Sequence, residues 1–366
     1  MANVFDYLDW RGDLSFSAAP FCEVDNLILS LLSYPDYSSL LLEQDRVGLP
    51  LGKLVPLYFT HRPRSEGGLG LLLGDRIFDL MERVAVTPRF ANVRVWGHRS
   101  RLDKERELQF SATAFSLGCG ESFIAFRGTD DTLIGWKEDF NMTVSFPIPA
   151  QEEAAAYLAF AAESTADRLY LGGHSKGGNL AAYAAATCDE GVRERIISVW
   201  SNDGPGFPKK MLDSPGYLAI RDRIHPLIPR ASVVGILFDW DPAPETVEST
   251  ATGALQHEGL PWQVLGTSFV RSAGQSRGSR QLDRSLHALL QEMDLPCRRQ
   301  LIDDVFSVGT ELGVETLAEM VAEGRRAQSF RAVSSKLTGI DRETRDCFLR
   351  ALKSVFREEE PPADDI

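Results

Sequence analysis

The chain has 366 residues, and 39 basic against 52 acidic side chains give it a formal net charge of −13. That balance argues against a general nucleic-acid or anionic-membrane partner, because such affinity rests on clustered Lys and Arg. Hydrophobic residues at 43% and charged residues at 25% are an ordinary globular mixture, which excludes wholesale disorder and leaves material for a sizeable core.

Residues 1–90 read as a helical and loop extension packed on the core. The first residues, MANVFDYLDW, place Asp6 and Asp9 where a signal peptide needs positive charge followed by an apolar run. VDNLILSLLSY reads as a helix ended at Tyr34-Pro35, since proline cannot continue the ladder. GGLGLLLGD from Gly67 lacks the G-K-[ST] ending of a phosphate loop and reads as a loop entering a helix at Ile77. From about residue 93, NVRVWGHRS, LQFSATAFSLG and ESFIAFRGTDD concentrate β-favouring residues around a Gly-Cys-Gly turn, predicting a β-meander.

EEAAAYLAFAAEST then reads as a helix with acids in its first turn. RLYLGG is a short buried strand, NLAAYAAATC a helix of small residues, and IISVWSND another strand. This alternation predicts a mostly parallel sheet with helices on both faces. Beyond Pro215, SVVGILFDW and ETVEST read as strands, with QHEGLPWQV after them. QLDRSLHALLQEM and ETLAEMVAEG carry apolar residues at helical spacing, and EEEPPADDI reads as a disordered acidic tail. The expected division is therefore a core over 91–275, a helical C-terminal extension over 276–357 and a tail over 358–366.

No stretch reaches about 18 uninterrupted apolar residues, so no membrane span is expected. The cysteines Cys22, Cys119, Cys188, Cys297 and Cys347 are odd in number, widely spaced and without a C-x-x-C pair, which disfavours a disulfide framework or a zinc cluster. The expectation is a cytoplasmic protein with free thiols, no metal and no organic cofactor.

The sharpest motif is Gly172-Gly173-His174-Ser175-Lys176-Gly177-Gly178, which contains G-x-S-x-G. The bare pattern arises by chance in roughly one chain in eight of this length. Its setting, a buried strand before it and an Ala-rich helix after it, is what a nucleophile elbow requires. An idle serine in an ordinary glycine-rich turn is the alternative.

Acyl transfer by Ser175 also needs a base, an orienting acid and an oxyanion hole. The chain order Ser, acid, His leaves His225, His257 and His287. His225 precedes proline among basic residues, and His287 falls within a predicted helix, where surface or packing roles compete. His257, in QHEGLPW, has the loop setting that suits a base. For the acid, Asp203 follows directly on the strand after the elbow helix, which brings it to the same carboxyl edge of the sheet as Ser175. Asp239 and Asp241, after SVVGILFDW, compete with it, and an Asp opening a turn before Gly-Pro is also common chemistry. FIAFRGTDD ends a strand at Arg127-Gly128-Thr129, so the backbone N–H of Thr129 could pair with that of Lys176 to hold a developing oxyanion.

FRGTDD with Trp136 and Asp139, followed by GHSKGGNLA, resembles the class 3 lipase branch of the α/β-hydrolases. The whole chain to about residue 270 more closely resembles an uncharacterised family of that branch, domain of unknown function 2974, through FDYLDWRGDLSF, FRGTDDTLIGWKEDFNM, GHSKGGNLAAYAA, NDGPGF and QHEGLPWQV. The resemblance implies an α/β-hydrolase fold, Ser175 as nucleophile and backbone donors at Thr129 and Lys176. It departs at the acid. Class 3 lipases carry theirs in a D-x-V-P segment, and the look-alike Ile224-His225-Pro226-Leu227-Ile228-Pro229 has no aspartate; NDGPGF is instead similar to the D-P-A-x-P segment of pancreatic-type lipases. The function expected is a serine hydrolase of the lipase or esterase type, cleaving an ester or thioester of a small acyl or lipid-like substrate through an acyl-enzyme. The alternative is an inactive hydrolase scaffold that binds a small molecule or a protein.

Overall fold

The computed structural model describes residues 1–64, 74, 76–316, 319–320, 322 and 326–336. Eight strands form one sheet in sequence order: β1 (Leu49–Pro50), β2 (Arg94–Asp103), β3 (Leu108–Ser116), β4 (Glu121–Phe126), β5 (Arg168–His174), β6 (Ile196–Asn202), β7 (Ile224–Pro229) and β8 (Glu245–Val247). Pairing is antiparallel from β1 to β4, the predicted meander, and parallel from β4 to β8. A two-stranded ribbon, β9 (Val264–Leu265) and β10 (Ser268–Phe269), follows.

Helices α1 (Val4–Arg11), α2 (Glu23–Leu31), α3 (Leu51–His61), α4 (Arg76–Val86) and α5 (Pro88–Ala91) precede β2. The crossovers carry α6 (Leu133–Asn141), α7 (Pro149–Ser164), α8 (Lys176–Thr187), α9 (Glu190–Arg195), α10 (Lys209–Leu212) and α11 (Pro215–Ile220). The helical C-terminal part comprises α12 (Arg277–Glu292), α13 (Leu295–Leu312) and α14 (Arg326–Lys336).

Strand alternation divides the core in two. β4 sends Phe123 and Ala125 into a cluster shared with α1 to α4, and Ile124 and Phe126 into a cluster shared with α7 and α8. The sheet is thus covered on both faces, as the strand–helix alternation predicts. Every residue of α2 is buried, and its polar side chains Glu23, Asp25, Asn26 and Ser30 are all hydrogen-bonded.

The structure corrects the reading of residues 232–240. SVVGILFDW forms turns, with one isolated bridge between Phe207 and Asp239. Its polar groups serve another purpose: Ser232 Oγ and Gly235 N both donate to the carboxylate of Asp203. The strand that follows β6 is instead Ile224–Pro229, which forms although its two prolines donate no ladder hydrogen bond. ETVEST supplies a strand only at Glu245–Val247.

Residues 67–73 and 75 of the glycine-rich segment, half of ETLAEMVAEG, Cys347 and the acidic tail lie outside the described residues. Cys22, Cys119, Cys188 and Cys297 are free thiols. No helix among the described residues is long and apolar enough to cross a membrane.

Candidate active site

β5 ends at His174 and α8 begins at Lys176, so Ser175 occupies the turn between them, at φ 58° and ψ −137°. The turn demands the glycines around it. A Cβ on Gly173 would lie 2.2 Å from the carbonyl carbon of Gly177, and one on Gly177 would lie 2.0 Å from the carbonyl oxygen of Phe126. The main chain pins the serine: its N–H donates to Asn202 O (2.9 Å) and its carbonyl accepts from Gly178 N (2.9 Å). Ser175 is 7% exposed. Among the described residues, no side chain hydrogen-bonds its hydroxyl.

The parallel register pairs His174 with Asn202, so the residue leaving β6, Asp203, emerges beside the elbow. Asp203 is fully buried with φ 54°. Its Oδ1 accepts from Ser232 Oγ (2.5 Å) and Gly235 N (3.1 Å), and its Oδ2 accepts from His257 Nδ1 (2.6 Å). His257 lies in a 3₁₀ turn, Gly253–Glu258, and is buried. Because a carboxylate only accepts, the Nδ1–H belongs to His257 and Nε2 is left as a proton acceptor.

A second histidine, which the chain-order argument set aside, completes this arrangement. His174 Nε2–H donates to the main-chain carbonyl of His257, and Tyr34 O–H donates to His174 Nδ1 at 2.8 Å. The two imidazole rings lie 4.6 Å apart. Burial, with help from His257, pushes His174 down to about 3, so the ring is neutral.

The loop after β4 meets the same elbow. A Cβ on Gly128 would fall 2.5 Å from His174 O and 3.0 Å from Ser175 Cβ, which places the main chain before Thr129 against the serine. Thr129 Oγ1 donates to Asp139 Oδ2. Thr132, the N-cap of α6, donates to Asp130 Oδ1 through both its hydroxyl (2.5 Å) and its N–H (2.9 Å). The loop is therefore held from α6.

Lys176 also reaches α6. Its side chain is fully buried, and Nζ meets Glu138 Oε2 (2.8 Å), Gln109 Oε1 (2.9 Å) and Asp139 Oδ1 (3.4 Å). Glu138 in turn accepts from Gln109 N (3.1 Å) and Ala150 N (2.9 Å). Asp139 thus touches both residues expected to supply the oxyanion donors. Burial pushes its carboxyl up to about 6, with Lys176 opposing. The sequence reading passed over this network, although a lysine inside G-x-S-x-G at the head of an apolar helix needs buried acids, and GWKEDF supplies them.

The other candidates have different partners. Asp239 is exposed, and its main-chain carbonyl accepts from Phe207 N (2.7 Å). Asp241 meets Arg221 (3.4 Å), His287 on α12 pairs with Asp283 (2.9 Å), and His225 in β7 stacks on Trp200 at 4.4 Å. Among the described residues, no three His, Cys, Asp or Glu side chains are grouped to hold a metal ion.

Solved structures similar to the chain include two lipases. The M37 lipase is 19% identical, with a TM-score of 0.34 over 58% of this chain and 69% of that one. The Rhizomucor miehei lipase propeptide complex is 14% identical, with a TM-score of 0.35 over 66% of this chain and 79% of that one. Likeness of this degree transfers no residue role. No curated protein matches. A family model described as Mbeg1-like matches residues 84–307, more than half of the chain, a range that includes Thr129, Ser175, Asp203 and His257 but not Tyr34. The chain belongs to the Mbeg1-like family.

Proposed function

We propose that the protein is a cytoplasmic serine hydrolase of the lipase or esterase type, cleaving a carboxylic ester or thioester of a small acyl or lipid-like substrate through an acyl-enzyme. The observation that carries this reading is the buried Asp203–His257 pair, joined at 2.6 Å, beside a serine held at φ 58° on a strand-to-helix turn. Ser175 Oγ attacks the acyl carbon while His257 Nε2 takes its proton. Asp203 holds the imidazole in the tautomer that permits this and stabilises the imidazolium that forms. The main-chain N–H groups of Thr129 and Lys176 receive the oxyanion, each lowering the barrier by about 3 kcal/mol. His257 then returns the proton to the leaving group, and water repeats the sequence to release the acid.

The test is labelling by a fluorophosphonate probe. The wild type is expected to label and Ser175→Ala is not; equal labelling of both removes Ser175 as the nucleophile. A scaffold that binds without turnover is the second reading, favoured by the Ser175 hydroxyl lacking a hydrogen-bond partner among the described side chains. Absence of labelling in the wild type would select it. In the hydrolase reading that hydroxyl turns to His257 only when substrate fills the site, since such bonds tighten in the substrate complex.

A further inference from the structure

We propose that Tyr34 and His174 are positioning residues for His257, a pair that refers the base directly to the nucleophile. The inference rests on the hydrolase reading and deepens it. A neutral imidazole has one donor and one acceptor. The His257 carbonyl has no proton to give, so His174 Nε2 carries the hydrogen and Nδ1 accepts from the Tyr34 hydroxyl. Tyr34 thereby selects the tautomer that lets His174 hold His257. The low value of about 3 keeps that ring neutral through the pH range in which a histidine base works.

Asp203 grips His257 at Nδ1 alone, and an imidazole held at one atom can still pivot about that bond. His174 grips the same residue at its main chain. Because His174 is bonded to Ser175, the second grip is measured from the nucleophile itself. A base misplaced by about 1 Å can lose about 100-fold in rate.

Gly128 supplies an independent sign that Tyr34 belongs to the site. A Cβ there would lie 2.3 Å from the Tyr34 hydroxyl, so the oxyanion loop leaves open the space that the hydroxyl occupies. Tyr34 is buried and comes from the segment that follows α2, outside the family-matched residues 84–307. The N-terminal segment therefore reaches His174, the residue before the nucleophile, through the Tyr34 hydroxyl.

The experiment compares full-length wild type with His174→Asn, His174→Gln and Tyr34→Phe, using p-nitrophenyl butyrate hydrolysis and the rate of fluorophosphonate labelling. Rates are normalised to folded protein by circular dichroism and thermal melting. Glutamine keeps a donor at the ε position, whereas asparagine reaches only the δ position. His174→Asn is expected to lose about 10- to 100-fold in kcat with KM within about twofold, the pattern of a defect confined to the transition state. His174→Gln restores most of that loss. Tyr34→Phe loses severalfold alone and adds little in the His174→Asn background, because the two act as one unit. If folded His174→Asn retains the wild-type kcat, or if the two losses simply multiply, the positioning role is overturned while the hydrolase reading stands. A wild type that neither labels nor hydrolyses overturns the hydrolase reading and the positioning role together.

Discussion

The two ends of the chain both read as helices around the core, yet they are attached to it in different ways. The N-terminal helices share the sheet's own apolar cluster, in which Val24, Leu27 and Ile28 of α2 join Phe115, Phe123 and Leu227. They also bring a fully buried ion pair, Arg89 with Asp25 at 2.6 Å, to which the Tyr7 hydroxyl donates. Asn26 reaches across to Asn202 at the end of β6 (2.9 Å). The C-terminal helices instead close a small cluster of their own, Val308, Val314, Met320 and Val333. They meet the rest at α6, where Leu133 N donates to Glu315 O (2.8 Å) and Lys137 pairs with Asp303 (2.7 Å), and at polar contacts such as that of Ser279 Oγ with Ser232 O (2.7 Å). Similar helical periodicity thus covers two situations, a layer of the core and an attached layer beside it. Periodicity reports that a face is apolar, and it is silent about which apolar face receives it.

The sharpest way to break this contrast is Arg89→Met. Removing the cation leaves Asp25 uncompensated among apolar side chains, and a loss of about 3–5 kcal/mol is expected in urea unfolding. A loss below about 1 kcal/mol would mean that the N-terminal region is not part of the cooperative core. Next comes a matched pair of truncations. Leu27→Ala is expected to cost about 2–5 kcal/mol in the main transition. Val308→Ala, losing about 1–2 kcal/mol of burial, should leave that transition in place and speed hydrogen exchange only in α13 and α14.

A smaller effect separates the two regions by pH. His174, held by the N-terminal Tyr34, has its value lowered from 6.5 to about 3. The unfolded chain therefore binds a proton that the folded chain refuses, and stability is lost as pH falls from 6.5 towards 3. Asp139, on the helix that receives the C-terminal layer, is raised from 3.8 to about 6. Its sign is opposite: the folded chain keeps a proton that the unfolded chain sheds, so stability is lost as pH rises from 3.8 to 6. The two contributions oppose one another between pH of about 4 and about 6. Urea titrations across that window should show the stability of His174→Gln falling less on acidification than that of the wild type. Asp139→Asn should fall more. Parallel profiles for all three proteins would exclude these groups as the source. The smallest effect is expected from Glu315→Ala. Its pair with Lys104 is 66% and 78% exposed, and the unfolding midpoint should stay unchanged.

The central part of the fold was legible because each local signal agreed with its neighbours. RLYLGG, the Ala-rich helix after it and IISVWSND became β5, α8 and β6, in register and on the expected edge. Asp203 could be nominated because the elbow fixes where the next strand must emerge, and His257 because chain order and its loop setting suit a base. The segment after Pro215 was less legible. There Pro226 and Pro229 sit inside a strand, while the β-favouring SVVGILFDW is bent to place Ser232 and Gly235 on Asp203. Tyr34 and Gln109 left no local sign, and Glu138 only the need of Lys176 for a buried acid. They touch the site from 140, 67 and 38 residues away, and only the tertiary arrangement makes them neighbours.

Among the described residues, four that are not glycine adopt a left-handed backbone, and two of these are Ser175 (φ 58°) and Asp203 (φ 54°). Such a conformation costs an ordinary side chain on the order of 1 kcal/mol and persists only where the surroundings impose it. Glycine at either position would relieve the strain and also delete the hydroxyl or the carboxylate. Ser175→Gly should therefore melt above Ser175→Ala while being equally inert. The strand β5 thus ends in a trade-off between stability and activity, since Ser175, where the elbow could be relaxed, is the residue that the proposed chemistry requires.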